Sequence, residues 1–166
     1  MSSPLDQASV RRVQEALAAS GSAARIVALA ATARSAAEAA QAIGVPVGAI
    51  VKTLVFRAGE RALIALVAGD RQCDTLALGR VLGAGADAGD KVRRADADFV
   101  RARTGFAIGG VAPVGGTETL AVAIDASLGR FAQVWAAAGH PHCVFPTTLE
   151  ELVRLTGGSV APDLGV

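Results

Sequence analysis

The sequence predicts an α+β domain in which a mixed β-sheet lies at the centre and short helices surround it. Short apolar segments with strand periodicity alternate irregularly with short helical segments, which is typical of this class. Residues 30–34, directly after the first predicted strand, lack the glycine-rich turn of a dinucleotide-binding fold. With 166 residues, 52% of them apolar, the chain can form one compact core, so we predict a single domain over residues 1–166.

Five predicted helices begin at a capping residue or end at a glycine. Ser35 and Thr148 each precede a glutamate by three residues, which predicts a capping box at each helix start. Asp74 and Asp96 are the predicted N-caps of two shorter helices. In chain order the predicted helices are residues 9–20, 35–44, 74–82, 96–104 and 148–157.

Six predicted strands are short and rich in β-branched or apolar residues. The turn at residues 58–61 joins two of them into a hairpin, and residues 105–116 contain too many glycines for either regular element. In chain order the predicted strands are residues 25–29, 49–57, 62–68, 120–124, 132–136 and 142–145.

The net charge limits which nucleic-acid partners the sequence allows, and the hydropathy pattern limits where the protein is located. A net charge of +1 argues against a protein that coats DNA, because such binding neutralises many phosphates at once, and no helix-turn-helix signal is present. A protein that grips one end of a nucleic acid needs only a few local cations. No apolar run reaches the ~20 residues of a membrane span, and the N-terminus lacks the apolar core of a signal peptide, so we expect a cytoplasmic location.

Lys52 lies inside an otherwise apolar strand and shares one face with Ile50 and Leu54. It is either a solvated lysine at the edge of the sheet or a cation that contacts a phosphate or ribose oxygen in a cleft.

The segment from Thr104 to Gly115 contains Gly109 and Gly110, which allow backbone N–H groups to approach a ligand, and Pro113, which stiffens the chain. Consecutive N–H groups of this kind can hold an anion or a developing oxyanion. The alternative is a surface loop with ordinary turn chemistry. A P-loop is excluded because no Gly-Lys-Ser/Thr follows.

The two histidines, His140 and His142, flank Pro141 directly before Cys143. A metal pair lacks a third ligand nearby, and a Cys143 thiol in an apolar strand stays protonated and inert. We predict a turn with partly exposed histidines, and we predict that Cys73 and Cys143 are free thiols.

Taken together, these features resemble the YbaK/EbsC-type aminoacyl-tRNA deacylases, which are related to the editing domain inserted in bacterial prolyl-tRNA synthetases. The similarity covers nearly the whole chain and is carried by residues 32–45, 50–56, 104–115, 124–125 and 149–157. The most specific part of the resemblance is that three motifs follow one another along the chain. They are a Lys-Thr strand, a Gly-Gly-Val-Ala-Pro loop and a closing Glu-Leu-x-x-Leu-Thr-Gly helix.

The resemblance implies a curled mixed sheet flanked by helices, with a cleft for the aminoacylated 3′ end of a tRNA. Lys52 would contact the terminal adenosine or its phosphate. A five-residue segment would hold the aminoacyl carbonyl with its backbone and exclude bulky side chains. That segment is Gly109, Gly110, Val111, Ala112 and Pro113. Lys52, Gly109 and Gly110 are thus the expected catalytic residues.

The implied chemistry is hydrolysis of the ester without a metal or other cofactor, with water or a ribose hydroxyl supplying the nucleophile or the proton transfer. The partner is an aminoacyl-tRNA, with a synthetase as a second candidate partner. A non-catalytic module that binds an aminoacyl-tRNA or a synthetase is the alternative function.

Two departures from the family bear on the substrate. Cysteine-specific relatives have Ser-Gly-Gly where this chain has Ala137-Ala138-Gly139, and alanine-specific relatives have Asn at the position of Thr53. Small amino acids (Ser, Thr or Ala) are therefore favoured, while Cys-tRNA(Pro) stays open. Thr53, Ala137, Gly139 and His140 complete the expected substrate contacts.

Overall fold

The computed structural model describes residues 3–30, 33–85 and 90–166. Thr32, the first residue of one segment that carries the resemblance, lies outside these ranges. The helices are α1 (Ala8–Ala19), α2 (Ala36–Ile43), α3 (Thr75–Leu82), α4 (Ala97–Thr104) and α5 (Leu149–Thr156). The strands are β1 (Val27–Ala28), β2 (Ile50–Ala58), β3 (Arg61–Ala68), β4 (Arg93–Arg94), β5 (Ala121–Asp125), β6 (Val134–Ala137), β7 (Cys143–Thr147) and β8 (Ser159–Ala161).

The strands form one mixed sheet in the order β1-β7-β6-β2-β3-β5-β8, with β4 beside β2. The β2–β3 hairpin is antiparallel, whereas β2 pairs parallel with β6 and β3 pairs parallel with β5. The predicted mixed sheet flanked by helices is therefore confirmed. In the described parts of the chain, no helix is both long and apolar enough to cross a membrane.

Side chains alternate across the β2–β3 hairpin and build a core on each face of the sheet. On one face, Val51 and Val55 pack with residues of α1, α4, α5 and the 106–112 loop. On the other face, Leu54 and Phe56 pack with α3 and with Leu164. A smaller cluster joins α2 to Ile50 and Trp135. Because both faces are covered, β3 is buried along nearly its whole length.

The predicted helices and the predicted hairpin are present, each within a few residues of its expected bounds. The first strand is shorter than expected, since only Val27 and Ala28 pair with β7. Strands β4 and β8 were not predicted from the sequence. They contain two and three residues, too few to show an alternating pattern, and they form only because a neighbouring strand is already in place.

Both predicted capping boxes are only half formed. Ser35 and Thr148 accept the backbone N–H of the glutamate three residues later, at 3.1 Å in each case. The Glu38 carboxylate, however, contacts the Ser35 hydroxyl at 3.3 Å, and the Glu151 carboxylate pairs with Arg154. The helix N-termini are capped as predicted, but the reciprocal bond from each glutamate to the capping residue's backbone was wrongly predicted.

Candidate functional site

The site begins with a gap in the sheet beside β2. At one end of β2, Ile50 and Val51 pair with β6; towards the other end, Phe56 and Arg57 pair with β4. Residues 52–55 therefore have a strand neighbour only on the β3 side. A cavity of about 370 Å³, called here the gap cavity, opens at this place between α2, β2, β6 and the 108–111 loop. Its volume lies within the range of small-molecule sites.

Backbone groups of β2 face the gap cavity. The Val55 carbonyl oxygen accepts a hydrogen bond from Ala95 N–H at 3.2 Å, on the side of β4. Alternate residues of a strand direct their N–H and C=O groups to the same edge. The N–H and C=O of Thr53 therefore point into the gap, where a ligand can pair with them.

Lys52 lines the gap cavity, and its ammonium donates a hydrogen bond to the backbone carbonyl oxygen of Arg71. Burial lowers the pKa of Lys52, and the nearby Arg94 guanidinium lowers it further, while Asp70 and Asp125 act in the opposite direction. A cation that is partly desolvated in this way interacts more strongly with a phosphate than a fully hydrated one.

The charged side chains at the gap cavity are all cationic among the described residues. Arg34 precedes α2 and Arg94 lies in β4, and together with Lys52 they line the cavity. Both arginines are exposed. Neither arginine is predictable as a site residue from the sequence, because an exposed arginine in a chain of near-neutral charge carries no distinguishing signal.

The predicted glycine loop forms a wall of the cavity. Gly109 and Val111 line the gap cavity, whereas Val111, Ala112 and Pro113 line a second cavity of about 240 Å³ on the helix side. Gly109 has φ +93°, a conformation that favours glycine. Gly110 is packed so closely that an added Cβ would lie 2.9 Å from the backbone nitrogen of His140.

The hydrogen bonds of this loop limit which N–H groups are available. The Gly110 N–H donates to the Ala107 carbonyl oxygen at 3.0 Å, within the loop's own turn. Gly109 is exposed, and an added Cβ there would have only Pro141 nearby, at 3.7 Å. Gly109 therefore presents the more accessible backbone at the mouth of the cavity.

Residues 137–142 support the loop from behind. Ala137 lines the gap cavity, but Gly139 and His140 do not. The Gly139 carbonyl oxygen accepts a hydrogen bond from the Ser9 hydroxyl at 2.7 Å, and His140 Nδ1 accepts the His142 N–H at 3.1 Å. Burial and the neighbouring His142 lower the pKa of His140. This segment holds Gly110 in place through backbone packing.

Five of the ten predicted site residues line the gap cavity. They are Lys52, Thr53, Gly109, Val111 and Ala137. Ala112 and Pro113 line the second cavity, and Gly110, Gly139 and His140 line neither. Lys52 and Val111 pack on opposite faces of the sheet, yet the gap lets both reach one cavity. The roles of these ten residues remain predictions.

Trp135 was not among the predicted site residues. It lies in β6 opposite Ile50, is half-buried and lines the gap cavity. It is the single tryptophan of the chain and stands in a strand of small residues, which is a signal that could have drawn attention to it.

Asp125 belongs to one of the segments that carry the resemblance, and it is a buried carboxylate at the end of β5. It is 0% exposed and accepts hydrogen bonds from Ala68 N–H at 3.0 Å and Ser127 N–H at 2.8 Å. An aspartate that ends an apolar strand is a signal that sequence analysis could use.

The cysteines are free thiols, as predicted. Cys143 is buried and its pKa is raised by burial, which agrees with an inert thiol. Burial and the nearby Asp74 carboxylate raise the pKa of Cys73 to about 11. No cluster of three or more His, Cys, Asp or Glu side chains suited to a metal ion occurs within residues 3–30, 33–85 and 90–166.

Comparison with known proteins gives consistent results. The family model described as the aminoacyl-tRNA editing domain matches residues 30–155. A crystal structure provisionally assigned as a trans-editing enzyme for prolyl tRNA synthetase is 43% identical, with a TM-score of 0.86 over 96% of this chain and 98% of the other.

Two sequence relatives extend the comparison. The uncharacterized protein YwhH of Bacillus subtilis (strain 168) is 32% identical over 128 residues, which cover 76% of this chain and 78% of YwhH. The proline–tRNA ligase of Lactobacillus gasseri is 37% identical over 76 residues, which cover 46% of this chain and 13% of the ligase. The chain thus resembles a small part of that ligase.

Proposed function

The chain belongs to the aminoacyl-tRNA editing domain family, and from that premise we propose that it hydrolyses the ester bond of tRNA charged with a wrong, small amino acid. The observation that carries the proposal is the gap cavity, which brings Lys52 and the 109–111 loop to one place. Hydrolysis of an ester requires a site for the nucleic acid, a site for the acyl group and room for water. We assign all three to the gap cavity.

The cations account for the nucleic-acid end. Lys52, Arg34 and Arg94 line the cavity, and each can pair with phosphate oxygens of the last nucleotides. Few phosphates need to be neutralised when only the 3′ end is held, so a net charge of +1 is compatible with this binding.

The loop accounts for the acyl group. Water attacks the carbonyl carbon of the ester, and negative charge develops on the carbonyl oxygen. We assign its stabilisation to the backbone N–H of Gly109, because the Gly110 N–H is bonded to the Ala107 carbonyl oxygen. The bond to the ribose oxygen then breaks, and that oxygen receives a proton from the attacking water, directly or through the neighbouring ribose hydroxyl. The products are the free amino acid and the uncharged tRNA.

The walls of the cavity favour a small side chain. Val51, Val55, Val100 and Val111 line it beside Thr53, whose hydroxyl is buried without a hydrogen-bond partner among the described residues. An unsatisfied buried hydroxyl costs free energy, which a substrate hydroxyl can recover once the wall beside Thr53 moves enough to expose it. This supports Ser and Thr above Ala as the amino acid removed.

The decisive experiment is deacylation of tRNAs charged with Ser, Thr, Ala or Cys by the wild type, by Lys52→Ala and by the matched control Lys91→Ala, which changes the exposed lysine of the chain. We expect Lys52→Ala to lower kcat/KM roughly 30-fold or more, as for loss of a partly buried charge pair, and Lys91→Ala to match the wild type. We expect EDTA to leave the rate unchanged. If the wild type cleaves none of the four esters above the spontaneous rate, the proposal fails.

A non-catalytic binding module is the second candidate. It is favoured by the fact that Lys52 and the Gly110 N–H already have partners within the protein. Tight binding of a non-hydrolysable aminoacyl-adenosine analogue without any turnover of the four esters would support it.

A further inference from the structure

We propose that the indole of Trp135 is the surface on which the terminal base of the bound nucleic acid stacks, while Lys52 holds the ribose or phosphate of the same nucleotide. This inference rests on the proposed function. It identifies which part of the substrate binds at the end of the gap cavity that Trp135 lines. Its ligand class is a purine nucleotide, since tRNA ends in adenosine.

The strand register places the two side chains side by side. Trp135 of β6 is the direct partner of Ile50 in the parallel pairing with β2. Paired residues point to the same face, and so do residues two apart along a strand. Trp135, Ile50 and Lys52 therefore share a face, with about 8 Å between the Cα atoms of Trp135 and Lys52 from a strand spacing of ~4.8 Å and a rise of ~3.3 Å per residue.

The burial of Trp135 differs from that of a core residue. Val134 and Ala136, which point to the other face, are 0% exposed. Trp135 is half-buried; part of it packs beside Ile50 and α2, and it lines the gap cavity as well. The α2 residues that line the cavity with it, Ala36 and Ala39, end in methyl groups.

We assign different parts of the substrate to the two faces of the sheet. Lys52 and Trp135 lie on one face, whereas Val111 packs with Val51 and Val55 on the other. We therefore place the acyl group on the Val111 side of the cavity and the base on the side that carries Trp135. The acyl group, the ribose and the phosphate are then assigned, so the terminal base is the part of the substrate left for the space beside Trp135. Stacking on an aromatic ring is a common way in which proteins bind an unpaired base.

The chemistry of the indole gives a direct test. The chain contains one tryptophan and no tyrosine, so its intrinsic fluorescence reports on Trp135 alone. The wild type is titrated with adenosine 5′-monophosphate, with ribose 5-phosphate as the matched ligand without a base, and with free serine. We expect saturable quenching by adenosine 5′-monophosphate only. Equal quenching by ribose 5-phosphate, quenching by serine, or no quenching by the nucleotide would each overturn the inference.

Variants test the energetic contribution. Trp135→Leu is expected to raise the Kd for adenosine 5′-monophosphate, measured by calorimetry, about fivefold to 100-fold, and Trp135→Phe, which keeps an aromatic ring, by less. Phe131→Leu changes a half-buried aromatic residue that does not line the gap cavity and serves as the control. Thermal unfolding followed by circular dichroism shows whether each variant folds. If Trp135→Leu folds and keeps the wild-type Kd, stacking is ruled out.

The outcome separates the two proposals. Deacylation by the wild type with no quenching by the nucleotide and an unchanged KM in Trp135→Leu overturns the role of Trp135 and leaves the proposed function intact. Quenching by the nucleotide without deacylation of any ester supports the role of Trp135 and contradicts the proposed function.

Discussion

The ammonium of Lys52 is bonded to the backbone carbonyl oxygen of Arg71, in the loop that follows β3. That loop is held in turn by residues distant in sequence, because Gln72 exchanges two backbone hydrogen bonds with Val166 at 2.9 and 2.8 Å, and Asp74 N–H donates to Leu164 at 2.8 Å. The carbonyl oxygen that Lys52 contacts is therefore held in place by main-chain hydrogen bonds between residues 72–74 and residues 164–166.

Titration of Lys52 gives the first prediction. Burial and Arg94 hold its pKa below the ordinary lysine value of 10.5, so it loses its proton at a lower pH than an exposed lysine. We expect kcat/KM to fall as the pH rises through that lowered pKa, because the neutral amine no longer attracts phosphate. Initial rates across the alkaline range, corrected for spontaneous ester hydrolysis, measure this effect. Lys52→Arg stays charged throughout, so a wild-type profile as flat as that of Lys52→Arg would contradict the prediction.

The free energy of unfolding is expected to rise over the same pH range in which kcat/KM falls. The unfolded chain keeps the Lys52 proton up to a higher pH than the folded chain does. In the window between the two pKa values the unfolded state binds more protons, so the free energy of unfolding contributed by this group rises with pH. Thermal unfolding of the wild type and of Lys52→Met, compared across the window, distinguishes loss of activity from loss of structure.

Removal of the Asp125 carboxylate gives the second prediction. This carboxylate is completely buried and accepts the N–H of Ala68, at the end of β3, and of Ser127. We expect Asp125→Ala to lower the free energy of unfolding by about 2–5 kcal/mol, since the buried N–H of Ala68 and the partly buried N–H of Ser127 lose their acceptor. Urea unfolding measures the loss.

The control for that variant is Asp70→Ala. Asp70 pairs with Arg130 at 2.8 Å, but both side chains are about one-third exposed. An exposed ion pair contributes only ~0–1 kcal/mol, so this variant is expected to stay close to the wild type. If Asp125→Ala and Asp70→Ala lower the free energy of unfolding equally, the burial of Asp125 does not explain its contribution to stability.

Gly109 gives the third prediction. Its φ of +93° costs an alanine ~1–2 kcal/mol, and the added methyl group would stand at the wall of the gap cavity. We expect Gly109→Ala to lower kcat/KM roughly tenfold to 100-fold, because a small displacement of the acyl group is costly. Gly157→Ala carries a similar backbone cost at φ +66°, with no atoms within 4 Å, at the end of α5. It should lose stability and keep activity; a matching loss of activity would mean that strain alone explains the effect.

Thr53 gives the fourth prediction, which concerns specificity. Its hydroxyl is buried without a partner among the described residues, and the residue lines the gap cavity. We expect Thr53→Val to lower kcat/KM for seryl and threonyl esters about threefold to tenfold relative to the alanyl ester, as for loss of one neutral hydrogen bond. Competition between esters in one reaction measures this ratio.

A second buried threonine provides the control for Thr53→Val. The hydroxyl of Thr147 in β7 is likewise buried and unsatisfied in the described part of the chain, but Thr147 does not line the gap cavity. Thr147→Val should leave the ratio unchanged. A shift of the ratio in both variants, or in neither, would count against a contact between Thr53 and the substrate.

Much of the local structure was predictable because it depends on neighbours in sequence. Asp74 and Asp96 cap their helices through hydrogen bonds to residues two or three positions away, and the turn at residues 58–61 closes the β2–β3 hairpin. The alternation that places Lys52 with Leu54 and Thr53 with Val55 follows from strand geometry alone. The family, too, was recognised from the order of the Lys-Thr strand, the glycine loop and the last helix, and the family model confirms it.

The site could be predicted only in part, because its residues are joined by contacts across the fold. Lys52 and Gly109 were singled out by residue type and local pattern, and both line the cavity. Trp135, Arg94 and Asp125 were not given roles. The neighbours of each residue come from a strand or loop far away in the chain. Trp135, for example, pairs with Ile50, and Asp125 accepts a hydrogen bond from the N–H of Ala68.

The sequence by itself determined the helices, the hairpin and which face of β2 each residue occupies, since these follow from capping, turn chemistry and a two-residue repeat. Only the tertiary structure decided that β4 and β6 pair with the two ends of β2 and leave residues 52–55 open between them. Strand register is fixed by side-chain packing between distant segments, so no local pattern encodes the gap. That gap lets Lys52, on one face of the sheet, line the same cavity as Val111, which packs on the other face.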